Sequence, residues 1–179
     1  MKNSVYFMRH LPTKSNLCGK ICGQSIYEPI VAVTNIIAPL KFDAILCSSA
    51  VRCRQTVEML EHFSGINTKI SFTSDLLERN MGNLEGECRE DMIRMYPHLF
   101  SGNKFIVTSC PPCGESFACF YYRVNKFYNL NIKGQTGNLL ICSHNQTLKM
   151  LYFIMLGIEI TDQKWESLNF IGGTIKKIG

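Results

Sequence analysis

Short apolar runs alternate along this chain with longer segments whose apolar residues recur at helical spacing. The runs lie at residues 5–8, 42–47, 68–72, 137–142 and 173–178, and their lengths and bounding turn residues predict strands. The segments with helical spacing lie at residues 29–38, 51–63, 89–95, 114–128 and 145–156. Strands that alternate with helices predict a layered α/β domain.

The length and composition favour one soluble domain. The chain has 179 residues, 46% of them hydrophobic and 18% charged, which is enough apolar material for a full core without disulfide bonds. The N-terminal apolar run is broken by Arg9 and His10, so we expect no signal peptide. The longest apolar stretch elsewhere, residues 150–158, is too short for a bilayer, which needs ~20 residues. We therefore expect a cytoplasmic protein that does not bind membranes.

The nine cysteines are scattered and odd in number, which favours a reducing compartment over a disulfide framework. Cys47 and Cys142 lie inside apolar runs, where a thiol behaves as a small hydrophobic group. Cys110 and Cys113 have the spacing of a redox or zinc half-site, but no second pair completes it. We expect no metal site.

The net charge of +5 is spread along the chain. A nucleic-acid-binding protein would gather its basic residues in a tract, so no nucleic-acid partner is expected. A mild positive excess favours a small anionic substrate, because charge focused in a cleft raises the local anion concentration.

Two of the predicted strands end in histidine. Arg9 and His10 directly follow the first run, and His144 follows the run that ends in Cys142 and Ser143. In an open α/β sheet ligands bind outside the carboxyl ends of the strands, so the two histidines are expected at one site. Neutral imidazole is a nucleophile near pH 7 and guanidinium matches phosphate oxygens, which together favour phosphoryl transfer.

Five segments, in order, carry a family resemblance. They are residues 7–13 (FMRHLPT) with Asn16, 48–56 (SSAVRCRQT), 77–86 (LERNMGNLEG), 112–116 (PCGES) and 141–145 (ICSHN). Together they resemble the signatures of the histidine phosphatase superfamily, also called phosphoglycerate mutase-like, from residue 4 to about 176. The resemblance implies a three-layer α/β/α sandwich around a mostly parallel sheet. It also implies a single domain, 1–179, with a small cap or insertion around residues 96–113.

The same resemblance implies a mechanism without metal or cofactor. His10 is the expected nucleophile, which would form a phosphohistidine that water then hydrolyses. The expected phosphate-binding groups are Arg9, Arg52, His144 and, as a lesser contributor, Asn16. Losing one such contact typically costs ~3 kcal/mol of transition-state stabilisation.

A leaving alkoxide needs a proton. Glu78 is the expected general acid, and Glu85 lies close enough in sequence to compete for that role. Leu11 and Asn145 stand where the family has glycine after each histidine, and Leu11 brings a side chain to where backbone would otherwise approach the substrate.

We expect a phosphatase that acts on a small phosphorylated metabolite. One alternative is a cofactor-dependent mutase, although mutases of this family are longer and only residues 96–113 offer an insertion. Another is a non-catalytic module that binds a phosphorylated partner, which has no need for both a nucleophile and an acid. The substrate is expected to be set by the loops at residues 11–27 and 96–113.

Overall fold

The computed structural model describes residues 4–32 and 34–178, and its centre is a five-stranded sheet. The strands are β1 (Ser4–Arg9), β2 (Ala44–Ser48), β3 (Ile70–Thr73), β4 (Phe100–Ser101), β5 (Lys104–Phe105), β6 (Asn138–Ser143) and β7 (Ile175–Lys177). The central order is β3-β2-β6-β1-β7, with β7 antiparallel to β1 and the other neighbours parallel. Strands β4 and β5 form a separate antiparallel hairpin.

Helices cover both faces of the sheet. They are α1 (Lys14–Leu17), α2 (Val51–Ser64), α3 (Arg89–Met95), α4 (Phe117–Asn131), α5 (Asn145–Leu156) and α6 (Asp162–Ser167). Because side chains alternate along a strand, Val5 and Phe7 of β1 pack in the cluster that includes α4 and α5 residues, while Tyr6 and Met8 pack in the cluster that includes α2 residues. The expected α/β/α sandwich with a mostly parallel sheet is confirmed.

All five predicted strands and four of the five predicted helices are present, but the helix predicted at residues 29–38 is wrong. Its residue 33 lies outside the described residues, and the rest is irregular. Ile30 N–H donates to Gln55 Oε1 at 2.9 Å, and Ala38 N–H donates to Ser64 Oγ at 2.7 Å. Side chains of α2 thus satisfy the backbone of a segment rich in β-branched residues, which have low helix propensity. The short helices α1 and α6 and the β4–β5 hairpin were not predicted.

The apolar stretch at residues 150–158 lies mostly in α5, which is packed inside the domain. Leu148, Met150 and Leu151 are fully buried against the sheet and α4. In the described part of the chain, no helix combines the length and the apolar character needed to cross a membrane.

Residues 96–113 fold over the end of the domain that carries α3. They form a 3₁₀ turn (Pro97–Leu99) and the hairpin, and Leu99 and Phe100 pack in a third apolar cluster with Ile21 and Met92. The following turn lies against the loop that carries Glu78. Glycine is required at position 82 of that loop, since its φ is +52° and a Cβ there would lie 2.1 Å from the Pro112 carbonyl oxygen.

Candidate active site

The ends of β1 and β6 place the two histidines side by side. Arg9 is paired with Ser143 in the parallel ladder, and His10 N–H donates to the Ser143 carbonyl at 3.0 Å. Each histidine is the first residue after its strand. The ring centroids of His10 and His144 are therefore only 5.1 Å apart, at an edge-to-face angle of 61°.

A cavity of about 130 Å³ opens at this edge of the sheet. All the residues expected at the site line it: Arg9, His10, Asn16, Arg52, Glu78 and His144. Glu85 does not line it.

His10 is held in one tautomer. It is 4% exposed, and its Nδ1 lies 2.6 Å from the Leu11 carbonyl oxygen. Since a carbonyl can only accept, Nδ1 carries the proton and Nε2 has the free lone pair. Burial, followed by the positive charge of Arg52, lowers the pKa of His10 to about 3, so the ring is neutral at physiological pH.

Arg52 and His144 form a hydrogen-bonded unit beneath the cavity. Arg52 Nε donates to His144 Nδ1 at 3.2 Å, which puts the ring proton on Nε2, where it is donated to Ser48 Oγ at 2.9 Å. Burial and then the Arg52 charge lower the pKa of His144 well below its ordinary value. His144 is thus neutral here, and its role as a phosphate-binding group stays a prediction. A phosphate dianion in the cavity would raise that pKa.

The rest of the Arg52 guanidinium binds the loop that closes one side of the cavity. Nη2 donates to the Gly23 carbonyl at 2.9 Å, and Nη1 donates to the Ser25 carbonyl. Arginine has five N–H donors, so two remain for an anion. Arg52 is fully buried, so its guanidinium is held in one position.

Arg9 and Asn16 are partly engaged by the protein. Arg9 Nη1 donates to the Phe170 carbonyl at 3.2 Å, which leaves most of its donors free. Asn16 Oδ1 accepts from Thr13 N–H at 3.1 Å, and Nδ2 donates to Cys22 Sγ at 3.1 Å. One N–H of the Asn16 amide remains.

Glu78 and Glu85 have different environments. Glu78 is 9% exposed and sits at the N-terminus of α5, where Oε1 accepts from Thr147 N–H at 3.1 Å and Oε2 from Gln146 N–H at 3.2 Å. Oε1 also accepts from Arg79 N–H and Thr147 Oγ1, so Oε2 is the less occupied oxygen. Glu85 Oε1 instead accepts from Gln24 N–H and Met81 N–H, at 2.9 and 2.8 Å. Its contacts hold two loops together.

Leu11 does not narrow the cavity. Its side chain is 2% exposed and packs in the α2 cluster with Ile36, beneath Gly173. Its backbone N–H donates to Thr56 Oγ1 at 2.9 Å. Asn145, at the other position where the family has glycine, lines the cavity and accepts the Phe170 N–H with Oδ1 at 3.1 Å.

No arginine that lines the cavity is ion-paired with a carboxylate of the described residues. Over residues 4–32 and 34–178, the ion pairs are Arg94–Asp91, Lys104–Glu166 and Arg123–Glu115, and none of them involves a cavity residue. Buried charge without a counter-ion is costly. An anion in the cavity would relieve that cost for Arg52, which is fully buried.

Several lining residues were not identified from the sequence. They are Lys20, Ile21, Cys22, Gly23, Met81, Arg89, Asn145 and Gln146. Most come from loops or from the first residues of helices, where no periodicity marks them. The sequence could have indicated Ser48, because it is a polar residue at the end of a predicted strand. His10 and His144 occupy similar positions at the ends of their strands.

Within the described residues, no group of three or more histidine, cysteine, aspartate or glutamate side chains is arranged to hold a metal ion. Cys110 and Cys113 are exposed free thiols in the turn against the Glu78 loop. Glu115 N–H, just beyond this turn, donates to the Asn80 carbonyl at 2.8 Å, which ties the turn to that loop.

Comparison with known proteins agrees with this geometry. The profile of the histidine phosphatase superfamily (branch 1) matches residues 5–170. No match was found among curated proteins.

Solved structures of low sequence identity share the fold. Bacillus stearothermophilus YhfR is 21% identical, with a TM-score of 0.83 over 98% of this chain and 90% of that chain. The mycobacterial glucosyl-3-phosphoglycerate phosphatase is 16% identical, with a TM-score of 0.78 over 98% and 92%. The alpha-ribazole phosphatase from Shigella flexneri is 20% identical, with a TM-score of 0.77 over 97% and 89%.

Proposed function

Because the chain belongs to the histidine phosphatase superfamily, we propose that it hydrolyses a small phosphomonoester through a phosphohistidine on His10. The observation that carries this proposal is the state of His10. The Leu11 carbonyl holds the proton on Nδ1, and Nε2 is left unprotonated in a cavity whose arginines form no ion pair with a carboxylate of the described residues.

The first step breaks the ester. His10 Nε2 attacks phosphorus, the P–N bond forms and the P–O bond to the leaving group breaks. Arg9 and Arg52 bind the phosphoryl oxygens, and Asn16 contributes one N–H. Glu78, protonated on Oε2, gives its proton to the leaving oxygen and becomes a carboxylate that the N–H groups of α5 stabilise.

The second step regenerates the enzyme. Glu78 accepts a proton from water as the water oxygen attacks phosphorus, and the P–N bond breaks to release inorganic phosphate. Fixed cationic side chains supply the charge stabilisation that magnesium supplies in kinases, so we expect turnover to survive metal chelation.

Turnover of 4-nitrophenyl phosphate in the presence of a chelator tests this proposal. We expect hydrolysis by the wild type and loss of turnover to the uncatalysed level in His10→Ala. The matched control is His62→Ala, since His62 is an exposed histidine on α2. Rapid quenching should also find a phosphoryl group on His10 of the wild type. Equal rates in the wild type and His10→Ala, or isomerisation of phosphoglycerate with little phosphate release, would contradict it.

A further inference from the structure

A second cavity adjoins the active site. It has a volume of about 400 Å³ and lies between the β4–β5 hairpin, α5 and α6. Arg89, Asn145 and Gln146 line both cavities. The two spaces are therefore neighbours with a common wall.

The common wall lies on the side where a leaving group would emerge. A proton donor must lie within hydrogen-bond reach of the leaving oxygen, so that oxygen must be close to Glu78. Glu78 Oε2 accepts the backbone N–H of Gln146 at 3.2 Å. A leaving group bound at Glu78 would thus lie next to Gln146, a residue that also lines the second cavity.

Lys149 is a buried cation in that cavity. Its side chain comes from α5, the residue is 8% exposed, and Nζ donates one proton to the Trp165 carbonyl at 2.9 Å. No other acceptor and no ion-pair partner for Nζ is present in the described part of the chain. Two ammonium protons and a full charge are left for a ligand.

The surroundings of Lys149 do not neutralise it. Burial is the main influence and lowers its pKa to about 8. Glu78 and Glu166 oppose this, whereas Lys104 and Arg9 add to it. Glu166 is itself paired with Lys104 at 3.0 Å. Asn145 Oδ1 accepts from Phe170 N–H, so the Asn145 amide nitrogen is a further donor on the cavity wall.

Resting on the proposed function, we propose that this second cavity binds the leaving group of the substrate and that Lys149 selects leaving groups with an anionic oxygen group. A carboxylate or a second phosphate would supply that group. A buried ammonium without a counter-ion gains more from an anion than from a neutral acceptor. Trp165 lines the same cavity, with its ring centroid 5.5 Å from Lys149 Nζ.

Matched aryl phosphates test this inference. Carboxyphenyl phosphates, with the carboxylate at each ring position, are compared with the corresponding carboxamides, and phenylene bisphosphates form a second arm. For the wild type we expect the best carboxyphenyl phosphate or phenylene bisphosphate to have a higher kcat/KM than the carboxamides. In Lys149→Gln this preference should fall about tenfold, the change expected for losing one hydrogen bond between charged groups. A preference for the carboxylate or for the bisphosphate shows which anionic group Lys149 binds.

A variant on another helix controls for general charge effects. Lys126→Gln removes the same charge at an exposed position of α4 and should leave the preference unchanged. If Lys149→Gln does not fold, the wild type answers the question through pH, because the preference should decline as pH rises through about 8 and the ammonium loses its proton.

The outcomes separate the two proposals. If none of the phosphates is hydrolysed, the proposed function fails and this inference fails with it. If neutral aryl phosphates are hydrolysed through His10 but the wild type shows no preference for an anionic leaving group, this inference alone is overturned. A preference that Lys149→Gln leaves intact, or that is flat from pH 7 to 9, also overturns it.

Discussion

Two glutamates of one loop illustrate how a residue's role depends on where its carboxylate lies. Glu78 points to the N-terminus of α5 and lines the cavity, while Glu85 binds backbone N–H groups of two loops outside it. Both face N–H donors, so donor type alone does not separate them. Position relative to the phosphate cavity does, and it favours Glu78 as the proton donor.

Leaving-group dependence distinguishes the two glutamates. In Glu78→Gln we expect kcat/KM, which reports the steps up to release of the leaving group, to fall about 10²-fold or more for an alkyl phosphate, because the alkoxide loses its proton source. The loss should be much smaller for 4-nitrophenyl phosphate, since nitrophenolate leaves without a proton. Steady-state kinetics with both substrates measure the difference.

Glu85→Gln is the matched comparison. Its rate for alkyl and for aryl phosphate should change by the same factor, because only loop contacts are altered. Selective loss of the alkyl phosphate reaction in Glu85→Gln, and not in Glu78→Gln, would transfer the acid role to Glu85.

At the scale of elements, Arg79 joins the Glu78 loop to the segment that follows the hairpin. Its side chain is fully buried and donates to the carbonyls of Val107, Ser109 and Glu115 at 2.8, 2.6 and 3.0 Å. Three acceptors around one guanidinium need its planar fork, which a lysine lacks. Arg79 thus stabilises a region with little regular secondary structure of its own.

Arg79→Lys should lower the free energy of unfolding by about 3 kcal/mol, since at least two hydrogen bonds to a charged group are lost. Cleavage within residues 104–115 in limited proteolysis should become faster. Arg54→Lys is the control, because Arg54 is exposed and donates to the Ser49 carbonyl, and its effect should stay within about 0.5 kcal/mol. Equal effects of the two substitutions would show that Arg79 has no special role.

At the scale of the whole molecule, the active site costs stability in acid. His10 and His144 are neutral and buried in the folded state. The pKa of His10 is lowered to about 3, and the pKa of His144 is lowered well below its ordinary value. In the unfolded chain both titrate near 6.5. Below pH 6.5 the unfolded state therefore binds more protons, and the free energy of unfolding falls as pH falls.

His10 should contribute about 1.4 kcal/mol per pH unit to this loss between pH 6 and 4, and His144 acts in the same direction. In His10→Asn the dependence of unfolding free energy on pH should be shallower by about that amount. His62→Asn, at an exposed position, should keep the wild-type slope. Denaturant unfolding across this pH range measures both, and identical slopes in wild type and His10→Asn would contradict the buried neutral state of His10.

Patterns that repeat locally were readable from the sequence alone. The apolar runs predicted every strand of the central sheet, and helical spacing predicted α2, α3, α4 and α5. His10 and His144 each follow a predicted strand, and this predicted that they lie close together. The carboxyl ends of neighbouring parallel strands lie at the same edge of a sheet. The helix predicted at residues 29–38 is absent, since backbone N–H groups of this segment donate hydrogen bonds to Gln55 and Ser64, which lie far from it in the sequence.

Contacts between distant segments were decided only by the tertiary structure. Which nitrogen of His10 is free depends on the Leu11 carbonyl, and the tautomer of His144 depends on Arg52 and Ser48. Lys149 has no sequence signal, because its importance comes from its burial beside Trp165 and from the lack of an ion pair with any described carboxylate. Periodicity is a property of residues that are close in the sequence, so it can be recognised without the structure. Protonation, burial and charge balance depend on everything within a few ångströms, which only the folded chain brings together.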